Sequence, residues 1–174
     1  MLLIKKRIIT IPIFIATICI IFSNCNLSDS KSDESGEFTI FLLADSTISA
    51  VHAVTQLIDT LILEDQPLIA IEDVEQYKWS DHTLTLNTEN DRLKAMESST
   101  GKSLGIPFVI TVGEERIYLG GFWYMYSSYM PSFPHIFFSS KGLYIEKGLL
   151  DGNKDVRNDD RIYQSLKAAG VLIE

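Results

Sequence analysis

The residues whose types could do chemistry are few and scattered. Gly101-Lys102-Ser103 ends like a phosphate-binding loop, in which backbone amides and a lysine cradle a nucleotide. That loop needs a second glycine where Met96 stands, and a strand before it where a helix is expected. Asp151, Asn153 and Asp155 offer oxygen ligands at alternate positions, as a calcium loop does. Such a loop continues with Gly and Glu where this chain has Val156 and Ile162. Weak Ca²⁺ binding, helped by Asp159 and Asp160, stands beside the simpler reading of a turn into a capped helix. His52, His82 and His135 lack the spacing of a zinc site and have no acid one helical turn away, so no metal is expected. There is no G-x-S-x-G nucleophile elbow. Asp45-Ser46, Glu64-Asp65 and Glu72-Asp73 read as turn and surface residues. A hydrolase using paired carboxylates would need two acids to converge, and the sequence does not select them. No cofactor is implied.

The densest feature is aromatic. Phe122, Trp123, Tyr124, Tyr126, Tyr129, Phe133, Phe137 and Phe138 fall in one short stretch around the loop-forming Ser127-Ser-Tyr-Met-Pro-Ser-Phe-Pro134. Aromatics on a loop bury much area at little entropic cost, so Tyr126, Tyr129, Met130 and Phe133 form a candidate binding surface. The competing reading is that these rings close one end of the core.

The elements that must position these residues read as one α+β domain over 38–174: a mixed, mainly antiparallel sheet with a few short helices. Residues 38–43 suit a strand buried on both faces. Residues 47–58 are ambiguous between helix and strand. Leu61-Ile-Leu63 is a short strand candidate, and 71–77 fits one or two helical turns. Thr83-Leu-Thr-Leu86 alternates as a half-buried strand should. Thr88 fits the N-cap of a helix running to about Met96. The strongest signal is a hairpin near 107–119, two β-branched runs around Gly113-Glu114-Glu115. Strands are expected at 136–138 and 143–145. A C-terminal helix over 160–169 is expected, capped by Asp159 or Asp160, with Ile162, Leu166 and Ala169 on its apolar face and Gly170 ending it.

The N-terminus reads as an address. Lys5-Lys6-Arg7 precedes the uncharged, Ile-rich run Ile8 to Phe22, which is short for a permanent membrane span and fits the apolar core of a secretory signal. Phe22-Ser23-Asn24-Cys25 follows, and it resembles the lipobox of bacterial lipoprotein signal peptides. Phe22 and Asn24 depart from the residues that family prefers. The resemblance implies that 1–24 are a signal peptide, that Cys25 receives acyl chains and becomes the first residue, and that a lipid bilayer in the cell envelope is the first partner. Two or three acyl chains hold a protein stably where one does so marginally. Cys19 would leave with the signal, so no disulfide or thiol chemistry is expected in the domain. Residues 25–37 hold the lipidated Cys and a Ser/Asp/Glu-rich tether that cannot form a core. Its Ser32-Asp33-Glu34 resembles the Ser/acidic surface-export signal of some lipoproteins. Losing Lys5, Lys6 and Arg7 takes the formal net charge from −8 to −11. That balance argues against nucleic acid and against electrostatic attachment to anionic lipid.

From Pro67-Leu-Ile through Glu72-Asp73-Val74, the alternating Leu84 and Leu86, a short helix and Gly105 to Leu119, the order of features over 67–138 resembles the head subdomain of the periplasmic region of SecDF. The chain lacks the polytopic membrane part of that family. The resemblance implies a mixed α+β binding head rather than a transport motor, and carries no functional residue across. The expectation is therefore a membrane-anchored envelope lipoprotein with a non-catalytic binding or accessory domain, its partner an envelope protein. The alternatives are the paired-carboxylate hydrolase and a weak Ca²⁺ or small-ligand binder.

Overall fold

The computed structural model describes residues 36–98, 103–125, 127–139, 142–149 and 154–174. Eight strands form one sheet: β1 (Phe38–Leu42), β2 (Val74–Lys78), β3 (Thr83–Leu86), β4 (Ile106–Val112), β5 (Glu115–Trp123), β6 (His135–Ser139), β7 (Gly142–Glu146) and β8 (Leu172–Ile173). Three short helices accompany them: α1 (Ala50–Ala53), α2 (Asp91–Ser98) and α3 (Asp160–Ala168). The order across the sheet is β1-β4-β5-β6-β7-β3-β2-β8. All neighbours are antiparallel except β5 with β6 and β2 with β8. The α+β class and the mainly antiparallel sheet expected from the sequence are what the fold has.

Side chains two apart on a strand share a face, and here one face turns inward. Ile40, Phe108, Ile110, Phe122, Ile136, Ile145 and Leu84 line it and are fully buried. The sheet is curled: Phe38 on β1 meets Tyr77 on β2, ring centroids 6.2 Å apart, although five strands lie between them in the sheet order. α3 adds Ile162 and Leu166 to the same core. The other face is covered near β4 by α1 and the segment after β1, where Ala53, Leu61 and Leu43 pack on Val109. Covered on both faces, β4 is buried at every position, which explains its sequence, apolar but for Thr111, whose hydroxyl bonds that of Thr39 at 2.6 Å.

Several expectations are corrected in detail. β1 is not buried on both faces, because it is the terminal strand of the sheet and half-buried residues interleave with its buried ones. Residues 47–58 resolve into α1, and Ile58–Thr60 makes a 3₁₀ turn. Residues 61–69 run beside β1, joined at Ile40–Ile69 and Leu43–Leu63, without becoming a regular strand. Residues 71–77 are one 3₁₀ turn (Ile71–Asp73) and then β2. A bulge between Val74 and Gln76 explains the misreading: the inserted residue puts Val74 and Tyr77 on one face three apart, imitating helical spacing. The cap of α2 is Asn90, not Thr88, since the Asn90 side-chain oxygen accepts from the amides of Arg92 and Leu93. On α3 it is Ser165, not Ala169, that joins Ile162 and Leu166 in the buried face.

Candidate functional site

The aromatic end is built by topology. β5 and β6 are parallel neighbours, with Gly121 opposite His135, so residues 124–134 must cross over to restart in the same direction. A parallel connection requires about a dozen residues, which is why this loop is long. Beneath it lies Trp123, buried, its indole N–H donating to the Tyr129 carbonyl at 3.0 Å. The Trp123 ring meets those of Tyr129 at 5.8 Å, Phe133 at 5.9 Å and His135 at 6.4 Å. Gly105 makes room for it. At Gly105, where φ is +74°, a Cβ would lie 2.4 Å from the indole ring. Gly121 instead makes room for the packing around it: a Cβ there would lie 2.6 Å from the Ala50 side chain and 3.2 Å from the Phe133 ring.

Further ties fix the crossover. The Tyr124 hydroxyl donates to the Met96 carbonyl at the end of α2. Ser127 donates its hydroxyl to the Ser103 carbonyl at 3.0 Å, and the Leu149 amide donates to the Pro131 carbonyl at 3.2 Å. Held this way, the loop leaves Met125 80 %, Met130 59 % and Tyr129 42 % exposed. Phe133, at 7 %, is buried against Trp123 and supports the surface from below instead of forming it. Tyr126 lies outside the described residues.

The other sequence candidates have structural work or fall outside the description. Cys25, Gly101, Lys102, Asp151 and Asn153 are outside it. Asp155 is taken by Arg157: its Oδ1 accepts from the Arg157 amide and Nε, and its Oδ2 from Nη2 at 2.6 Å. Asp159 and Arg161 repeat this arrangement at the start of α3. Asp45 accepts from the amide and hydroxyl of Thr47 in a turn, Asp73 caps its 3₁₀ turn through the Ala70 amide, and Glu64 pairs with Arg92. Hydrogen bonds hold Asp45, Asp81, Glu89, Asp155 and Asp159 below the ordinary carboxylate range. A general acid needs the opposite shift. Among the described residues no group of three His, Cys, Asp or Glu is placed to hold a metal ion. No described helix is long and apolar enough to cross a membrane. A shallow polar cleft lies at the start of α2, lined by residues that include Asp73, Glu89 and Arg92, with a volume of about 210 Å³.

A buried polar cluster was missed from the sequence. His82, in the turn between β2 and β3, is buried at φ +54°, and its Nδ1 lies 2.9 Å from the Tyr77 hydroxyl. Desolvation first, then the charge of Arg157, holds His82 down to about 4, so the ring is neutral at pH 7 and, protonated at Nε2, can accept the phenol proton at Nδ1. The His82 carbonyl accepts from the Ile145 amide at 3.1 Å, and Arg157 Nη1 donates to the Ile145 carbonyl at 2.7 Å. Tyr118 is buried nearby and its hydroxyl has no hydrogen-bond partner among the described residues. Its ionisation is pushed far up by burial. The repeated Asp-x-Arg of 155–157 and 159–161 was the local sequence signal.

Comparison of the chain with family models, curated proteins and solved structures finds no match.

Proposed function

We propose that this chain is a bacterial envelope lipoprotein, held to a membrane by acyl chains on Cys25, whose α+β domain binds another envelope protein without catalysing a reaction. The carrying observation is the exposure of Met125, Tyr129 and Met130 on a crossover tied down over Trp123. A loop already held in one shape loses little conformational freedom on binding, so its apolar side chains contribute more of their burial to affinity. Methionine adapts to irregular partners, and tyrosine is enriched among residues that dominate binding energy. The anchor rests on the basic Lys5-Lys6-Arg7, the apolar run to Phe22 and the Cys at 25. The likeness of 67–138 to the SecDF head supports a binding head over a motor. The strongly acidic charge balance favours a protein partner over an anionic lipid surface.

Two measurements test this. Intact mass of the membrane-extracted protein gives a chain starting at Cys25 and carrying acyl groups, and Cys25→Ser gives an uncut or unlipidated chain. Capture of envelope proteins falls at least tenfold in Tyr129→Ala with Met130→Asp, whose circular dichroism and melting stay near the parent's. Equal capture of every partner removes the loop from the account.

A further inference from the structure

The C-terminal segment, from Asp155 to Glu174, is docked on the turn that contains His82. The Tyr77 amide donates to the Val171 carbonyl at 2.8 Å, and the Trp79 amide to that of Ile173 at 2.7 Å. The Trp79 ring meets Tyr163 of α3 edge-on at 5.1 Å and His82 at 5.4 Å. Arg157, where the segment begins, reaches the Ile145 carbonyl, and the Ile145 amide bonds back to His82. One connected path thus runs from Tyr77 through His82 and the backbone N–H and C=O of Ile145 to Arg157 and Asp155.

We propose that Tyr77, His82 and Arg157 form an acid-operated latch, in which protonation of His82 loosens the docking of the C-terminal segment on the sheet. In the neutral ring protonated at Nε2, Nδ1 accepts the Tyr77 proton across 2.9 Å, so a proton placed on Nδ1 turns that acceptor into a donor and strands the buried phenol O–H. The new charge would stand near the Arg157 guanidinium. Asp155 and Asp81 favour the charged ring, but burial and Arg157 outweigh them, and both carboxylates are bonded elsewhere: Asp155 to Arg157, Asp81 to Lys78 and the Thr83 amide. Tyr118 from β5 and Tyr163 of α3, across Trp79, also face the site; both are raised above the ordinary phenol value and supply no negative charge at neutral pH. Among described non-glycine residues only His82 has a positive φ, so the turn stores backbone strain that the latch retains.

The sign follows from linkage. A His whose folded value lies near 4 instead of 6.5 contributes its full share of docking above pH 6.5 and loses it as pH falls toward 4. The docked-to-loose ratio falls by up to about tenfold per pH unit across that window.

The test is amide hydrogen exchange by NMR on the full chain in nonionic detergent, corrected for intrinsic pH dependence. Protection of the Tyr77, Trp79 and Ile145 amides, relative to the β4 amides, should fall at least tenfold between pH 6.5 and 4. His82→Asn, which tolerates positive φ, should abolish the difference. Tyr77→Phe removes the donor that favours the neutral ring, and should move the onset up by about half to one pH unit. Constant relative protection in the parent, or the same fall in His82→Asn, overturns the latch. Should His82→Asn not fold, an unchanged onset in Tyr77→Phe does so.

Discussion

Gly105 and Gly170 offer a matched experiment on how the aromatic end is built. Both have φ of +74°, so an alanine meets the same backbone penalty at each, about 1–2 kcal/mol. Their surroundings differ. A Cβ at Gly170 has nothing within 4 Å, whereas one at Gly105 would sit 2.4 Å from the Trp123 ring and 3.1 Å from the Ala50 side chain. The indole cannot retreat easily, because its N–H is bonded to Tyr129 and its faces pack on Phe133 and His135. Overpacking of that kind costs about 1–3 kcal/mol more. Gly170→Ala should therefore lower stability by about 1–2 kcal/mol and Gly105→Ala by about 2–5 kcal/mol. The assay is urea unfolding of residues 36–174, which contain all eight strands, followed by far-ultraviolet circular dichroism. Adding Trp123→Leu to Gly105→Ala should recover most of the steric part and none of the backbone part. Equal losses at the two glycines, or no coupling between 105 and 123, would refute the claim that Trp123 is the fixed platform of the crossover.

Tyr118→Phe should hold or raise stability, by up to about 1 kcal/mol, because it removes a buried hydroxyl that has no partner among the described residues; thermal melting checks this, and a large loss would reveal a partner for that oxygen. Asn90→Ala should cost about 1 kcal/mol and Thr88→Ala close to nothing, since the side-chain oxygen that caps α2 belongs to Asn90; paired urea titrations decide it. Asp155→Asn should destabilise more than Asp159→Asn, because the Asp155–Arg157 pair is largely buried at 19 % and 13 % side-chain exposure, while Arg161 is 48 % exposed. The gap should narrow as pH falls through the ordinary carboxylate range, where both unfolded-state acids protonate and the stability from their lowered folded values is lost.

What the sequence revealed follows from how local each signal is. The β4–β5 hairpin was legible because a Gly-led turn between two β-branched runs needs no distant partner. The helix α3 was legible from Asp159, which caps it, and from Ile162 and Leu166 on one face. β8 was not, because two residues become a strand only through pairing with β2. β2 was hidden by its bulge. The parallel placement of β6 beside β5 is a tertiary choice that no pattern in 122–138 encodes, so the sequence left two readings of the aromatic run open. The fold divides them: Trp123, Tyr124 and Phe133 are buried, and Met125, Tyr129 and Met130 face solvent. The polar cluster was illegible because Tyr118 and Arg157 lie far along the chain from Tyr77 and His82 and join them only through the fold.

The central claim is that the crossover above Trp123 is where the anchored domain meets another envelope protein. Site-specific photo-crosslinking in intact cells tests it most directly, with the photoreactive residue at Met130 and, as a control, at the exposed Lys167 of α3. A discrete crosslinked protein from position 130, lost on Tyr129→Ala and absent from position 167, is the predicted result. The same products from both positions, or none from 130 in a chain that is correctly acylated, would contradict it.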